Sequence, residues 1–175
     1  MSGPDVDGRF AQGWGGAAPD GVHLNVLLAH RGSPTAAVVA SAFTAPSAGF
    51  TPVLASVGDT QLEYETLYPP TVIVPKTAPA GERHEKLVFG ACAAGIARGV
   101  LDVAAEGVLR ADQDTLVLVS LWLDPAAGDE TAVGANARTA TSAAVREAVA
   151  GRDAAAVDRL VRQRDRVRHP FYDGD

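Results

Sequence analysis

The run His23-Leu24-Asn25-Val26-Leu27-Leu28-Ala29-His30-Arg31-Gly32-Ser33-Pro34 gathers the residues best suited to chemistry. Its first half alternates with a period of two. That places His23, Asn25 and Leu27 on one face of a strand, and Val22, Leu24, Val26 and Leu28 on the other. An imidazole and a carboxamide then stand side by side. An imidazole has an ordinary pKa near ~6.5, so His23 can give or take a proton at neutral pH. Arg31-Gly32-Ser33-Pro34 reads as a sharp turn into a helix, with Ser33 as N-cap and Pro34 as first helical residue. Lys76, after Pro75, and His169, before Pro170, add polar groups at other element ends. Each has a plainer reading: a surface histidine before an ordinary helix start, a solubilising lysine, and a cation at a helix C-terminus.

Other sites are excluded by residue type and spacing. The four histidines (His23, His30, His84, His169) are scattered and the single cysteine is Cys92, which argues against a disulfide framework or a metal site. The G-x-S-x-G nucleophile elbow and the dinucleotide fingerprint are missing. Gly13-Trp14-Gly15-Gly16 lacks the lysine and following helix of a phosphate loop.

The elements that must position these groups follow from periodicity. Residues 1–20 are rich in Gly, Asp and Pro and read as a loose, flexible arm, leaving 21–171 as one domain. Strands are expected over 22–28, 50–57 and 71–75, the last two separated by an acidic loop over 58–70. A helix is expected over 34–45. The longest helix should span 82–106, with Val88, Cys92, Ile96, Gly99 and Val103 on one face. Its small residues Gly90, Ala91, Ala93, Ala94 and Gly95 invite close approach, by another helix or by a flat ligand. Thr115–Leu123 reads as a central strand covered on both faces. A helix over 129–150 carries the stripe Val133, Ala137, Ala140, Ala144 and Ala148, and Asp153 caps a last helix that ends before Pro170. This order predicts an α/β (α+β) fold, a mixed sheet covered by helices.

The net charge of −6 argues against nucleic-acid partners and anionic membrane surfaces. The late arginines (Arg159, Arg162, Arg164, Arg166, Arg168) are interrupted by Asp165, which suits a solvated helix or a subunit contact. No stretch is expected to supply the ~20 apolar residues that span a bilayer, and no secretion signal is read, so a cytoplasmic protein is expected.

Over about 21–171 the chain resembles the formaldehyde-activating enzyme family. The resemblance is carried by His23, Arg31-Gly32-Ser33-Pro34, Gly49-Phe50-Thr51 with Leu54-Ala55, Lys76, Phe89-Gly90, Ala105-Glu106-Gly107, Asn136, Ala148-Val149-Ala150-Gly151 and His169-Pro170-Phe171. It implies a fold like ribosomal protein S5 domain 2, a cytoplasmic homopentamer with sites between subunits, and a place in one-carbon metabolism. The implied activity is condensation of formaldehyde with tetrahydromethanopterin, a co-substrate rather than a bound cofactor. His23 falls on the proposed general acid; Asn25, Arg31, Ser33, Lys76, Phe89, Asn136 and His169 are the candidate binding residues. The chain departs from the family at several points. Phe-Gly-Pro-Ala-Gln-His reads Phe89-Gly90-Ala91-Cys92-Ala93-Ala94, an acidic residue is replaced by Asn25, Ile-His-Trp-Glu aligns with Trp122-Leu123-Asp124-Pro125, and Tyr-Asn-Tyr is Ala135-Asn136-Ala137. Those losses leave open another small aldehyde or amine, a non-catalytic pterin or small-molecule binder, or a biosynthetic enzyme reusing the acid.

Overall fold

The computed structural model describes residues 4–170. The alternation over 22–30 builds β2 (Val22–His30), with Val22, Leu24, Val26 and Leu28 wholly buried, His23 and Leu27 half-buried and Asn25 exposed. It pairs antiparallel with β7 (Thr115–Leu123), which pairs in parallel with β6 (Thr71–Pro75). β1 (Phe10–Gly15) and β3 (Val53–Leu54) form the two edges, giving the order β1-β2-β7-β6-β3. The architecture is α+β: a mixed five-stranded sheet with helices packed on it.

Three expectations about strands change. Residues 10–15, set aside within a loose arm, form β1 and pair in register with β2. The pattern is alternation of large and tiny residues: Phe10, Gln12 and Trp14 point one way, Gly13 and Gly15 the other. Glycine carries no apolar signal, so a hydrophobicity pattern misses the strand. The strand expected over 50–57 is broken at Ala55 into β3 and β4 (Ser56–Val57), the latter pairing with β5 (Glu65–Thr66) in a separate ribbon. The Ala55 N–H donates to Thr71 O while its carbonyl accepts from Leu67 N, so this residue joins the two sheets. Finally, β7 is covered on one face only: Val117, Val119, Leu121 and Leu123 are buried, whereas Leu116, Leu118, Ser120 and Trp122 are half-buried.

Helices follow the predicted spans closely. α1 (Pro34–Thr44) starts at Ser33, whose Oγ accepts from Ala36 N at 3.0 Å. One continuous helical rod runs from α2 (Glu82–Lys86) through a π-helical stretch (Leu87–Cys92) into α3 (Ala93–Ala105). By length and composition this rod is apolar enough to cross a membrane, contrary to the expectation above, but 56% of its most apolar window is buried inside the fold. Its apolar face (Val88, Cys92, Ile96, Val100, Val103) belongs to the core with Ile73, Val117 and Val119, which is the packing of a core helix.

α4 (Glu130–Ala150) begins at Asp129, whose side chain caps Ala132 N, and presents Val133, Ala137, Ala140, Ala144 and Ala148 to the core. Alanine and glycine let helix axes approach closely. A Cβ added at Gly95 would lie 2.2 Å from Gly134 O, and one at Gly99 2.7 Å from the Thr141 Cβ, so a helix occupies that small-residue surface at these positions. Gly90 faces open space. Two bidentate pairs, Arg138–Asp102 and Arg146–Glu106, fasten α3 to α4 at the surface. α5 (Ala154–Arg162), capped by Asp153, buries none of its residues. The contrast between the two glycines is testable. Gly95→Ala should lower unfolding free energy by about 1–3 kcal/mol through overpacking, while Gly90→Ala should be neutral or stabilising by up to ~1 kcal/mol. Chemical denaturation of the two variants reads the difference.

Candidate functional site

β2 places His23 on the more open face of the sheet, directly between Trp14 of β1 and Trp122 of β7. The imidazole lies against the Trp14 ring, centroids 5.3 Å apart, and Trp14 in turn contacts Trp122 at 6.2 Å. Trp14 Nε1 donates to Gly16 O at 2.7 Å, which fixes that indole. Lys76 follows β6; its backbone N–H continues the ladder to Leu121 O, and its Nζ reaches His23 Nδ1 at 2.9 Å. The opposite ring nitrogen, Nε2, lies 3.1 Å from Gln12 Oε1. An ammonium can only donate, and the amide oxygen can only accept. The neutral tautomer with hydrogen on Nε2 satisfies both contacts.

The electrostatics follow from those neighbours. Burial first, and then the Lys76 cation, hold the His23 imidazole below its usual range. Burial likewise lowers the Lys76 ammonium. Among the described residues no carboxylate lies within ion-pair distance of Lys76, whereas the chain's other lysine, Lys86, pairs with Glu82 at 3.4 Å. Lys76 therefore carries the positive charge of the site with no carboxylate paired to it among the described residues.

Gln12 also lines an open cleft of about 620 Å³ on this face, with Phe10, Asn25, Leu27, Leu118 and Ser120. That size suits a small organic molecule. Asn25 sits in it opposite Gln12 and Ser120 across the two ladders.

The other sequence candidates lie elsewhere. Arg31 is eight residues along β2 from His23, roughly 26 Å at ~3.3 Å per residue, and pairs with Asp114 at 2.8 Å. Ser33 caps α1 and donates to Asp7 Oδ1 at 2.7 Å; the same carboxylate accepts from His30 N and Thr35 Oγ1. These hydrogen bonds, Ser33's foremost, keep the Asp7 carboxyl below the usual carboxylate range. The Arg-Gly-Ser-Pro turn is thus a structural clasp. Asn136, on α4, donates to Asp20 O at 2.9 Å and ties down the β1–β2 connection. Phe89 is half-buried in the π-helical stretch and lines a separate shallow cleft with Gly49, Thr51, Ala78 and Pro79, just beyond Lys76. His169 lies exposed past the last helical turn, and Phe171 falls outside the described residues.

Gln12, Trp14 and Trp122 are the site residues that sequence reasoning passed over. The alternation of Phe10, Gln12 and Trp14 with glycine was the available signal. Two further groups resolve as structural. His84 is buried, accepting from Ala80 N and bonding Leu123 O through Nε2. Cys92 is buried with its thiol pushed up to about 12, out of reach of thiolate chemistry at neutral pH.

The family model described as formaldehyde-activating enzyme matches residues 14–172. The chain belongs to the formaldehyde-activating enzyme family. A family member named 5,6,7,8-tetrahydromethanopterin hydro-lyase, from Methanosarcina barkeri, is 30% identical over 158 residues, covering 89% of this chain and 85% of that protein. Proteins named bifunctional enzyme Fae/Hps are similar too. That of Methanothrix thermoacetophila is 28% identical over 157 residues, covering 89% of this chain, and that of Archaeoglobus fulgidus 30% over 152, covering 85%. The chain spans 38% and 37% of the length of these two bifunctional relatives.

His23's titration reports the pair directly. Its folded pKa is depressed, so the unfolded chain takes up this proton at higher pH than the folded one. Stability from this group is present above the unfolded imidazole value of ~6.5 and is lost as pH falls below it and through the lower folded value. In an NMR titration His23 should change charge below that value. Lys76→Met should raise its midpoint only part of the way, because burial remains.

Proposed function

We propose that this protein condenses formaldehyde, or a similarly small aldehyde, with tetrahydromethanopterin or a related reduced pterin, releasing water. The reading is supported by family membership and by the relative named for tetrahydromethanopterin hydro-lyase activity. The observation that carries it is His23 held between a lysine ammonium and the amide of Gln12, a residue that also lines a cleft of ligand size.

An amine adds to the aldehyde carbon to give a carbinolamine. Its hydroxyl is a poor leaving group until protonated, and departs as water once it receives a proton. His23 supplies that proton from Nε2 and is made good at Nδ1 by Lys76, so the pair delivers one proton without charging the ring beforehand. The resulting iminium is captured by the second pterin amine to close the methylene bridge. Trp14 and Trp122 offer flat apolar surface beside the reacting centre, the kind of contact that holds an aromatic ring. Asn25 and Gln12 supply amide groups to orient the ligand's polar edge.

We further propose that the chain works as a cytoplasmic homopentamer. α5 supports an oligomer: Val157, Leu160 and Val161 fall at i, i+3 and i+4 and are 44%, 43% and 62% exposed, an apolar stripe left open among the described residues.

Methylene formation from formaldehyde and tetrahydromethanopterin should exceed the spontaneous rate in buffer, and His23→Ala should remove about 10²–10⁴-fold of the acceleration. A rate equal to buffer alone with pterin still bound would make the protein a carrier; undiminished activity in the variant would remove His23 from the reaction. Light scattering should give about five times the 18.0 kDa of one chain, and Leu160→Asp should shift it toward smaller species.

A further inference from the structure

We propose that Lys76 is a covalent catalyst: its amine captures the aldehyde as an imine, and the carbon passes from lysine to the acceptor amine. This deepens the reading above, resting on the same aldehyde as substrate, and replaces direct attack by the acceptor on the free aldehyde.

Three observations converge on Lys76. First, its Nζ is 2.9 Å from an imidazole nitrogen that can accept its proton, and no carboxylate among the described residues holds that proton in place. A lysine paired with a carboxylate stays an ammonium and is no nucleophile. Second, its position is fixed. The residue follows Pro75 at the end of an interior strand and its backbone bonds Leu121 O at 2.8 Å. The amine is therefore presented beside the cross-strand Trp14–His23–Trp122 row rather than waving in solvent. Third, the side chain is half-buried, and burial lowers its basicity in the direction that populates the free amine.

The chemistry balances within the pair. Lys76 passes one proton to His23 Nδ1 and attacks the aldehyde carbon with the freed electron pair. Proton transfer from nitrogen to the alkoxide gives a neutral carbinolamine. His23 returns its proton to the hydroxyl, the C–O bond breaks, water leaves, and a lysine iminium remains beside a neutral imidazole. Lysine ammonium plus aldehyde has become iminium plus water, with one positive charge throughout. The acceptor amine then adds to the same carbon, a proton moves from its nitrogen to the lysine nitrogen, and the C–N bond to Lys76 breaks, leaving the free lysine amine and an acceptor iminium; closure by the second amine releases the proton that restores the Lys76 ammonium. No oxidant or reductant is needed.

The chain has only two lysines, which makes the test internally controlled. Brief exposure of the full-length protein to labelled formaldehyde and cyanoborohydride at pH 7 reduces any imine to a stable methylamine, and peptide mass spectrometry reads each lysine separately. Lys76 should be labelled about tenfold or more faster than exposed Lys86. His23→Ala should slow Lys76 and leave Lys86 unchanged, with circular dichroism reporting that the variant is folded. Equal or slower labelling of Lys76 in the parent protein overturns the proposal. So does full condensation activity in Lys76→Arg, which keeps a cation beside His23 but cannot form the imine. Selective labelling of Lys76 without acceleration of pterin condensation would support the imine and overturn the pterin assignment instead.

Discussion

The close approach of α4 to the sheet edge is the constraint on which the rest depends. A Cβ at Gly13 would lie 2.1 Å from Ala140 O, and one at Gly15 2.1 Å from Asn136 O, so the helix backbone rests directly on β1. With α3 pressed equally close through Gly95 and Gly99, the three elements form a layer that only glycine and alanine permit. That layer seals one face of the sheet. It also dictates what β1 can present on the other, because residues that alternate with the glycines must point away from α4. Those residues are Gln12 and Trp14, the hydrogen-bond partner and the ring neighbour of His23. The packing core and the site are two sides of one strand.

On the site's side the deciding interaction is the contact of Lys76 with His23. Alone, a half-buried histidine would titrate near neutrality and a lysine far above it. Burial lowers the basicity of both, and at 2.9 Å the Lys76 cation further disfavours a proton on His23, so the pair favours one proton where separate groups would carry up to two. Gln12 completes the arrangement by giving Nε2–H a neutral acceptor rather than an anion. An anion there would draw the proton permanently onto the ring. An amide aims it without trapping it.

Much of this was legible in the sequence, and the misses have physical reasons. The buried and open faces of β2, the strand at 71–75, the stripe of α4 and the caps at Ser33 and Asp153 all follow from periodicity and side-chain chemistry. β1 was missed because its inward residues are glycines, whose role lies in what they leave out. β7 was read as covered on both faces because Leu116, Leu118 and Trp122 are apolar, although half-exposed. Within the site, His23, Asn25 and Lys76 could be named from residue type and position. That His23 and Lys76 touch depends on β2 and β6 flanking β7, a long-range fact that no local pattern contains. Ser33 and Asn136 were named through resemblance, and both turn out to hold backbone segments in place.

The substitution of Asn25 for an acidic residue gains meaning from that geometry. It stands two residues from His23 on the same face of β2, beside Gln12 and Ser120. A carboxylate there, about 6.6 Å along the strand, would add an attraction for the proton shared by His23 and Lys76, and at an effective dielectric of ~20 two unit charges that far apart interact by about 2.5 kcal/mol. Such a charge would stabilise ammonium and imidazolium alike, keeping lysine protonated and the ring cationic. Asparagine retains the size and a hydrogen-bonding edge while removing the charge. At this position the chain carries no charge that would hold the proton, beside the two groups that exchange it. A site simplified in this way depends more heavily on apolar contact and shape to hold its ligand, which places the burden of specificity on Trp14, Trp122 and the cleft beside Gln12.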